Sequence, residues 1–243
     1  MVYKIAIIVF PGTNCDLDTY HVLSNTLRLN SKLIWHKSIE SLNEYDAIIL
    51  PGGFSYGDHL RAGVIAAFSP AMKEVKKAAI EGKPILGICN GFQILTEAEL
   101  LPGALLRNKT LKFVCKWVKI RVDSTNTAFT NICKKGQILD MPIAHNEGRY
   151  FIDEDGLKML KRNGQIVFTY VNEFGKATKD ANPNGSVENI AGVCNKERNI
   201  VGLMPHPERA SERILSPYED NDGLAIFSSM LYSLGKVIKL GKV

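Results

Sequence analysis

Nothing in the sequence is apolar for long enough to cross a bilayer, so no membrane-spanning helix and no membrane partner are expected. The chain opens Met1-Val2-Tyr3-Lys4 and passes at once into a strand-like apolar run. The zones of a secretory signal are missing, so a cytoplasmic location is expected. Cysteine is sparse: five residues, an odd number, without CxxC spacing. That argues against a disulfide framework and a zinc site, and suits a reducing compartment. Charge of one sign is also scarce. The formal net charge is +5 and scattered, whereas nucleic-acid-binding faces are dense and clustered, so no nucleic-acid partner is expected. The basic tail at 235–242 reads as a solvated helix end. There is no G-x-x-x-x-G-K-[ST] loop to cradle phosphates. Without repeats or a low-complexity linker, residues 1–243 read as a single domain. Asn108-Lys109-Thr110 and Asn184-Gly185-Ser186 fit the glycosylation triplet, but without a secretion signal they read as chance.

What is present is an ordinary globular composition, 45% hydrophobic and 23% charged, with ample material for a core. Apolar runs at 4–10, 32–36, 46–51 and 83–88 alternate with helical patterns at 16–30, at 61–81 and from Asn90 onward. Asp16 is placed to cap the first helix, with Tyr20, Leu23 and Leu27 on one face. Continuous apolar strands alternating with helices imply a parallel sheet covered on both faces. Beyond residue 110 the pattern changes. The segment 111–122 alternates, with Phe113, Cys115 and Trp117 on one side, and its phase flips at Trp117-Val118 as at a bulge. Further strands are expected at 165–171, 189–195 and 199–205, and a helix at 223–235. The expected fold is α/β: a flavodoxin-like open, mostly parallel sheet with helices on both faces and a mixed, antiparallel extension in the second half.

One cysteine stands apart. The fourth apolar run ends in Gly87-Ile88-Cys89-Asn90-Gly91 and a helix begins there. A nucleophile on a sharp strand-to-helix turn is the elbow of Gly-x-Ser-x-Gly hydrolases, and the physics transfers to a thiol. Flanking glycines permit the tight turn. The side chain then stands at the carboxyl edge of the sheet, where open α/β sheets bind ligands. The positive end of the helix dipole lies beside the sulfur, and the Asn90 N–H is free to hold an oxyanion. Cys115 and Cys194 read as strand-packing residues. Cys15 is the nearest rival, with acidic Asp16 beside it disfavouring a thiolate.

A cysteine nucleophile works with a base. In Pro205-His206-Pro207-Glu208 the prolines hold the segment extended, so His206 and Glu208 face the same side. A carboxylate there fixes the imidazole tautomer and supports its protonated form, which outlines a Cys–His–Glu triad. Gly52-Gly53, ending the third strand, exposes backbone N–H groups, and that of Gly53 is the candidate second oxyanion donor. Gln93 lies one turn along from Cys89 and leans back toward it.

The segments "GICNGFQIL", "PGGFSYGD" and "MPHPER" together resemble the class I, triad-type glutamine amidotransferases. Residues 9–19, 142–151, 182–186 and 202–210 narrow the resemblance to the amidotransferase subunits of phosphoribosylformylglycinamidine synthases, over nearly the whole chain. The resemblance implies Cys89 as nucleophile, His206 as proton donor to ammonia, Glu208 as its orienter, and Gly53 and Asn90 as oxyanion donors. It implies a glutamine pocket with Gln93, Gly52, Phe54, His145, Asn146 and Gly148. Asn146 stands where the family would have a small residue, often glycine. His145 and Glu147 in one loop are too few for a metal site, and none is expected. No cofactor is implied in this chain. ATP and magnesium would serve a large synthetase subunit, and a small third subunit would help assemble the complex. Two other readings stay open: a stand-alone hydrolase with the same elbow, and a degenerate, non-catalytic scaffold.

Overall fold

The computed structural model describes residues 3–38 and 41–235; the basic tail from Lys236 onward lies outside them. Eleven strands are described: β1 (Lys4–Val9), β2 (Asn30–Trp35), β3 (Ala47–Leu50), β4 (Ile85–Ile88), β5 (Ala104–Leu106), β6 (Val114–Val122), β7 (Ile138–His145), β8 (Arg149–Phe151), β9 (Ile166–Val171), β10 (Ile190–Cys194) and β11 (Ile200–Leu203). The α-helices are α1 (Asp16–His21), α2 (Val64–Ala67), α3 (Pro70–Ile80), α4 (Asn90–Glu97), α5 (Glu154–Asn163) and α6 (Leu224–Ser233). Among the described residues no helix is long and apolar enough to cross a membrane.

Nine strands form one sheet in the order β2-β1-β3-β4-β11-β10-β9-β6-β7. The first five are mutually parallel. The rest join antiparallel, so the mixed extension expected for the second half is there. The central strands β3, β4 and β11 are buried at every residue, as their uninterrupted apolar sequences require. Because β1, β3, β4 and β11 are adjacent and parallel, the loops leaving their carboxyl ends converge on one edge. Helix α4 lies directly on this sheet: a Cβ on Gly91 would come within 1.9 Å of the Leu50 carbonyl oxygen.

Several expectations need correction. The first helix ends at His21 and continues as a π turn over Val22–Thr26, so Asn30 already belongs to β2. Its buried stripe is Cys15, Thr19, Val22 and Leu23, while Tyr20 stays partly exposed. Cys15 occupies the cap position, and Asp16 and Asp18 instead place their charges in the first turn. The helix expected over 61–81 is two, because Pro70 lacks an N–H and forces Ser69 extended. No bulge interrupts β6: its register with β7 runs unbroken from Val114↔His145 to Arg121↔Ile138. The register shift lies instead between β9 and β10, around Gly192. Val118, Ile120 and Val122 are buried; Phe113 and Cys115 are exposed, so Cys115 is not a packing residue, whereas Cys194 is fully buried. The alternation in "ILDMPIAH" reveals β7 in retrospect. Its Pro142 is tolerated because β7 is an edge strand. Helix α5 was also signalled, by the Asp153 cap and by Gly164 in the left-handed conformation after its end.

Candidate active site

Cys89 sits between β4 and α4 with φ 49° and ψ −103°, a conformation side chains rarely adopt. Its N–H is fixed to the Leu203 carbonyl (2.8 Å), and its own carbonyl accepts from the Gln93 N–H at 3.1 Å. The elbow is thus a strained turn clamped by β11 on one side and α4 on the other. The thiol lies 3.8 Å from the Ala144 carbonyl and is 4% exposed.

β11 delivers the partner. His206 and Glu208 are both buried, and Nδ1 of His206 stands 2.6 Å from Oε1 of Glu208. Nε2 has no hydrogen-bond partner and is the ring nitrogen left for the thiol. Burial opposes an imidazolium here, but the charges of Glu208 and Cys89, with hydrogen bonding from Cys15, lift His206 well above the ordinary histidine value.

The two expected oxyanion donors, the N–H groups of Gly53 and Asn90, lie on the Gly52–Phe54 turn and in the first turn of α4. The Gly12–Asn14 turn bridges to the Gly52–Phe54 turn through Phe54 N–H to Gly12 O (2.9 Å) and Asn14 N–H to Gly52 O (3.3 Å). These bonds use neither the N–H nor the carbonyl of Gly53. The Asn90 N–H belongs to the first turn of α4 and has no intrahelical acceptor. The Asn90 side chain accepts from the Ser55 N–H at 3.1 Å and donates to Gln93 Oε1 at 2.9 Å. Gln93 Nε2 in turn donates to the Glu147 carbonyl at 2.7 Å. Both ends of the Gln93 amide are therefore committed to joining the 54–63 loop, α4 and the loop after β7. Phe54 is partly exposed at the rim, its ring 6.2 Å from that of Phe113.

His145 and Gly148 sit in a hydrogen-bonded cluster at the end of β7. The His145 imidazole is buried, with Nδ1 3.1 Å from Asn108 Oδ1 and Nε2 3.4 Å from Asn184 Nδ2. Burial and the charge of His206 push it down to about 4, so it is neutral. Gly148 donates to Asn108 Oδ1 at 3.0 Å and packs so closely that a Cβ would meet the His145 ring. Asn146 is half-buried, and its carbonyl accepts from the Asn108 N–H at 2.8 Å. Asn108, legible in the sequence only as a chance glycosylation triplet, and Asn184, within the family-like segment 182–186, are buried and hold this loop.

Cys15 is closer to the chemistry than its sequence suggested. Its sulfur is 3.9 Å from His206 Nδ1 and accepts from Arg209 Nη2 at 3.2 Å. Burial, with the charge of Glu208, raises this thiol; Asp16 is not the cause. Asp58 is a second group that sequence reasoning missed: it has a buried, unpartnered oxygen, and burial with the charge of Glu147 raises it to about 6. The donor atoms of Cys15, His206 and Glu208 lie within 4.8 Å of one another, as do those of Asp140, Asp220 and Asp222. In the first group, however, the imidazole and carboxylate are bonded to each other and the sulfur to a guanidinium. In the second, the Lys119 ammonium already neutralises Asp140 at 2.7 Å.

Comparison with known proteins gives this geometry a lineage. Residues 2–231 match the family model described as the CobB/CobQ-like glutamine amidotransferase domain. The chain belongs to this amidotransferase family. A relative from Methanosarcina acetivorans, the phosphoribosylformylglycinamidine synthase subunit PurQ, is 56% identical over 227 residues, covering 93% of this chain and 96% of its own. The subunit of the same name from Koribacter versatilis is 52% identical over 233 residues, covering 96% and 99%. Among solved structures, a chain in the PurLQS structure from Thermotoga maritima superposes with a TM-score of 0.83 at 44% identity, covering 96% of this chain and all of that one. A second Thermotoga maritima protein, a glutamine amidotransferase (TM-score 0.55, 16% identity, covering 97% of this chain and 94% of that one), shares the fold.

Proposed function

We propose that this chain is the glutaminase subunit of a phosphoribosylformylglycinamidine synthase, acting through Cys89, His206 and Glu208. The observation that carries the mechanism is the strained Cys89 elbow beside a buried imidazole whose far nitrogen is already held by a carboxylate. His206 Nε2 takes the Cys89 thiol proton as the sulfur attacks the side-chain carbonyl carbon of glutamine, and the carbonyl electron pair moves onto oxygen. The N–H groups of Gly53 and Asn90 receive that charge. As the tetrahedral species collapses, the C–N bond breaks and His206 Nε2 gives its proton to the departing ammonia, leaving a thioester. His206 then takes a proton from water as hydroxide adds to the thioester carbon; collapse breaks the C–S bond, glutamate is released, and the departing sulfur regains a proton from His206. Glu208 keeps the Nδ1–H oriented through both steps. Gln93 and the His145–Gly148 loop serve as scaffold around the bound glutamine, with Gly52, Phe54 and Asn146 at its edges.

One domain of this kind accounts for ammonia production alone. Joining ammonia to formylglycinamide ribonucleotide with ATP and magnesium belongs to a large synthetase subunit, assembled with a small third subunit in the cytoplasm. The subunit name of the curated relatives and the PurLQS neighbour support the multi-subunit assembly. The 54–63 loop carries Gly53's neighbour and is bonded to Asn90 and Glu147, so partner docking there adjusts the oxyanion site. On this reading the isolated chain is a slow glutaminase. Turning one oxyanion donor in or out changes the rate by about 10²–10³-fold. The test is to measure glutamine hydrolysis by the chain alone and with both partner subunits, nucleotide and ribonucleotide. Glutamine-dependent amidine formation that needs all three chains is expected. Hydrolysis at the same rate with and without partners removes the switch, and no glutamine-dependent product in the mixture removes the assignment.

A further inference from the structure

We propose that Cys15 is a positioning residue for His206: its sulfur seats one edge of the imidazole and holds the Arg209 guanidinium away from Glu208. This rests on the reading of His206 and Glu208 as a catalytic pair. Cys15 is 2% exposed and ends the turn after β1, where its N–H is fixed to the Gly52 carbonyl at 3.2 Å. The sulfur and Gly52 meet the imidazole along the same edge. A Cβ placed on Gly52 would lie 2.7 Å from His206 Cε1 and 3.0 Å from the Cys15 sulfur, so the three groups form one packed layer.

The other side of the sulfur faces Arg209. Its guanidinium has two anchors, Nε to Asp18 Oδ2 at 3.1 Å and Nη2 to the Cys15 sulfur at 3.2 Å. The thiol therefore stands between two groups that are both cationic when His206 is protonated. Glu208 has given Oε1 to His206, while its Oε2 is buried without a partner among the described residues. Arg209 follows Glu208 in the chain and already feels its charge. Deleting the sulfur frees one arm of the guanidinium, and the position the sulfur vacates lies within 4.8 Å of the Glu208 carboxylate. A guanidinium–carboxylate pair in a buried site is strong, so the freed arm turns to Glu208 and draws it from the imidazole. The residues involved are far apart in sequence, Cys15 and Arg209 by 194 positions.

The experiment compares wild type, Cys15→Ala, Cys15→Ser, Arg209→Gln and the Cys15→Ala/Arg209→Gln double variant in the assembled complex. It reads kcat and KM for glutamine, the ammonia-dependent rate, the pH profile and the melting temperature. For Cys15→Ala, kcat falls about 10- to 100-fold, the scale of a misplacement near 1 Å, with KM and the ammonia-dependent rate unchanged. The limb of the profile that reports His206 moves to lower pH, because its carboxylate is now shared. Cys15→Ser, which keeps an acceptor for Arg209, stays near wild type. The double variant regains part of what the single Ala variant lost, since the competing cation is gone. Wild-type kcat and pH profile in Cys15→Ala overturn the proposal, and so does a double variant as slow as the single one, which is the mark of packing alone. If Cys15→Ala fails to fold, Cys15→Val, which keeps bulk without the acceptor, is judged by the same outcomes. A wild-type complex that does not use glutamine would refute the functional reading, a result separate from any of these.

Discussion

Adding one methyl group at Gly52 tests the geometry of the site more sharply than removing a catalytic group. Gly52 has no left-handed backbone to protect, so alanine is conformationally allowed there. The difficulty is space. The new Cβ would lie 2.7 Å from His206 Cε1, 3.0 Å from the Cys15 sulfur and 3.3 Å from His206 Nδ1. Carbon atoms pack at about 3.5 Å or more, so the ring must retreat by about 0.8 Å. Retreat is opposed by Glu208, which holds Nδ1 at 2.6 Å. Overpacking of this kind costs about 1–3 kcal/mol of stability. A ring shift near 1 Å lowers the rate about 10²-fold. Gly52→Ala is therefore expected to fold, to melt a few degrees lower, and to lose most glutamine-dependent synthesis while ammonia-dependent synthesis in the complex persists. Gly136 is the matched contrast: nothing lies within 4 Å of an added Cβ, but its φ of 84° strains any side chain. Gly136→Ala is expected to cost about 1 kcal/mol with activity intact. Full glutamine-dependent activity in Gly52→Ala would refute the placement of His206 against the Gly52 turn.

Cys89→Ala is expected to abolish glutamine-dependent synthesis and spare ammonia-dependent synthesis; loss of both would make the residue structural. A glutamine-derived electrophile such as diazo-oxo-norleucine is expected on Cys89 and not on Cys15, as read by peptide mapping. Glu208→Gln should cut turnover by roughly 10²–10⁴-fold, and equal rates would remove its role as orienter. Because Glu208 helps raise His206, the stability of the pair is fully present below the ordinary histidine value and is lost as pH rises through the raised one. The difference in melting temperature between wild type and Glu208→Gln should therefore be largest below about pH 6 and shrink above the raised value. Asp58 runs the other way: its carboxyl is raised from 3.8 to about 6, so the fold favours the protonated form and loses stability as pH climbs between these values. Asp58→Asn should gain melting temperature relative to wild type at pH 7 and show no gain at pH 4; a gain equal at both would refute the titration.

The candidate triad was legible because each part is a local signal. Glycines around Cys89 in Gly87-Ile88-Cys89-Asn90-Gly91 dictate a turn wherever the chain goes, and the prolines around His206 dictate an extended segment. The same holds for the Gly52-Gly53 turn and for the central strands, whose apolar runs admit only burial on both faces. Errors gathered where the sequence signal is ambiguous. The phase change at Trp117-Val118 has one local pattern and two causes, a bulge or a change in what covers the strand, and unbroken pairing with β7 shows the second.

The sequence by itself determined the order of features along the parallel strands: a paired-glycine turn, a thiol elbow and an imidazole–carboxylate pair, each at the end of an apolar run. Backbone turns and strand burial depend on neighbours in the chain, so they can be read from it. Only the tertiary structure decided which polar side chains face each other across the site. Asn108 and Asn184 lock His145 as a neutral scaffold residue, and Cys15 stands between His206 and Arg209. Those contacts join residues 37 to 194 positions apart, and whether a buried asparagine, histidine or thiol is satisfied depends on what the sheet brings over it. No local pattern carries that information, because it is created only when β1, β4, β7 and β11 come together at one edge.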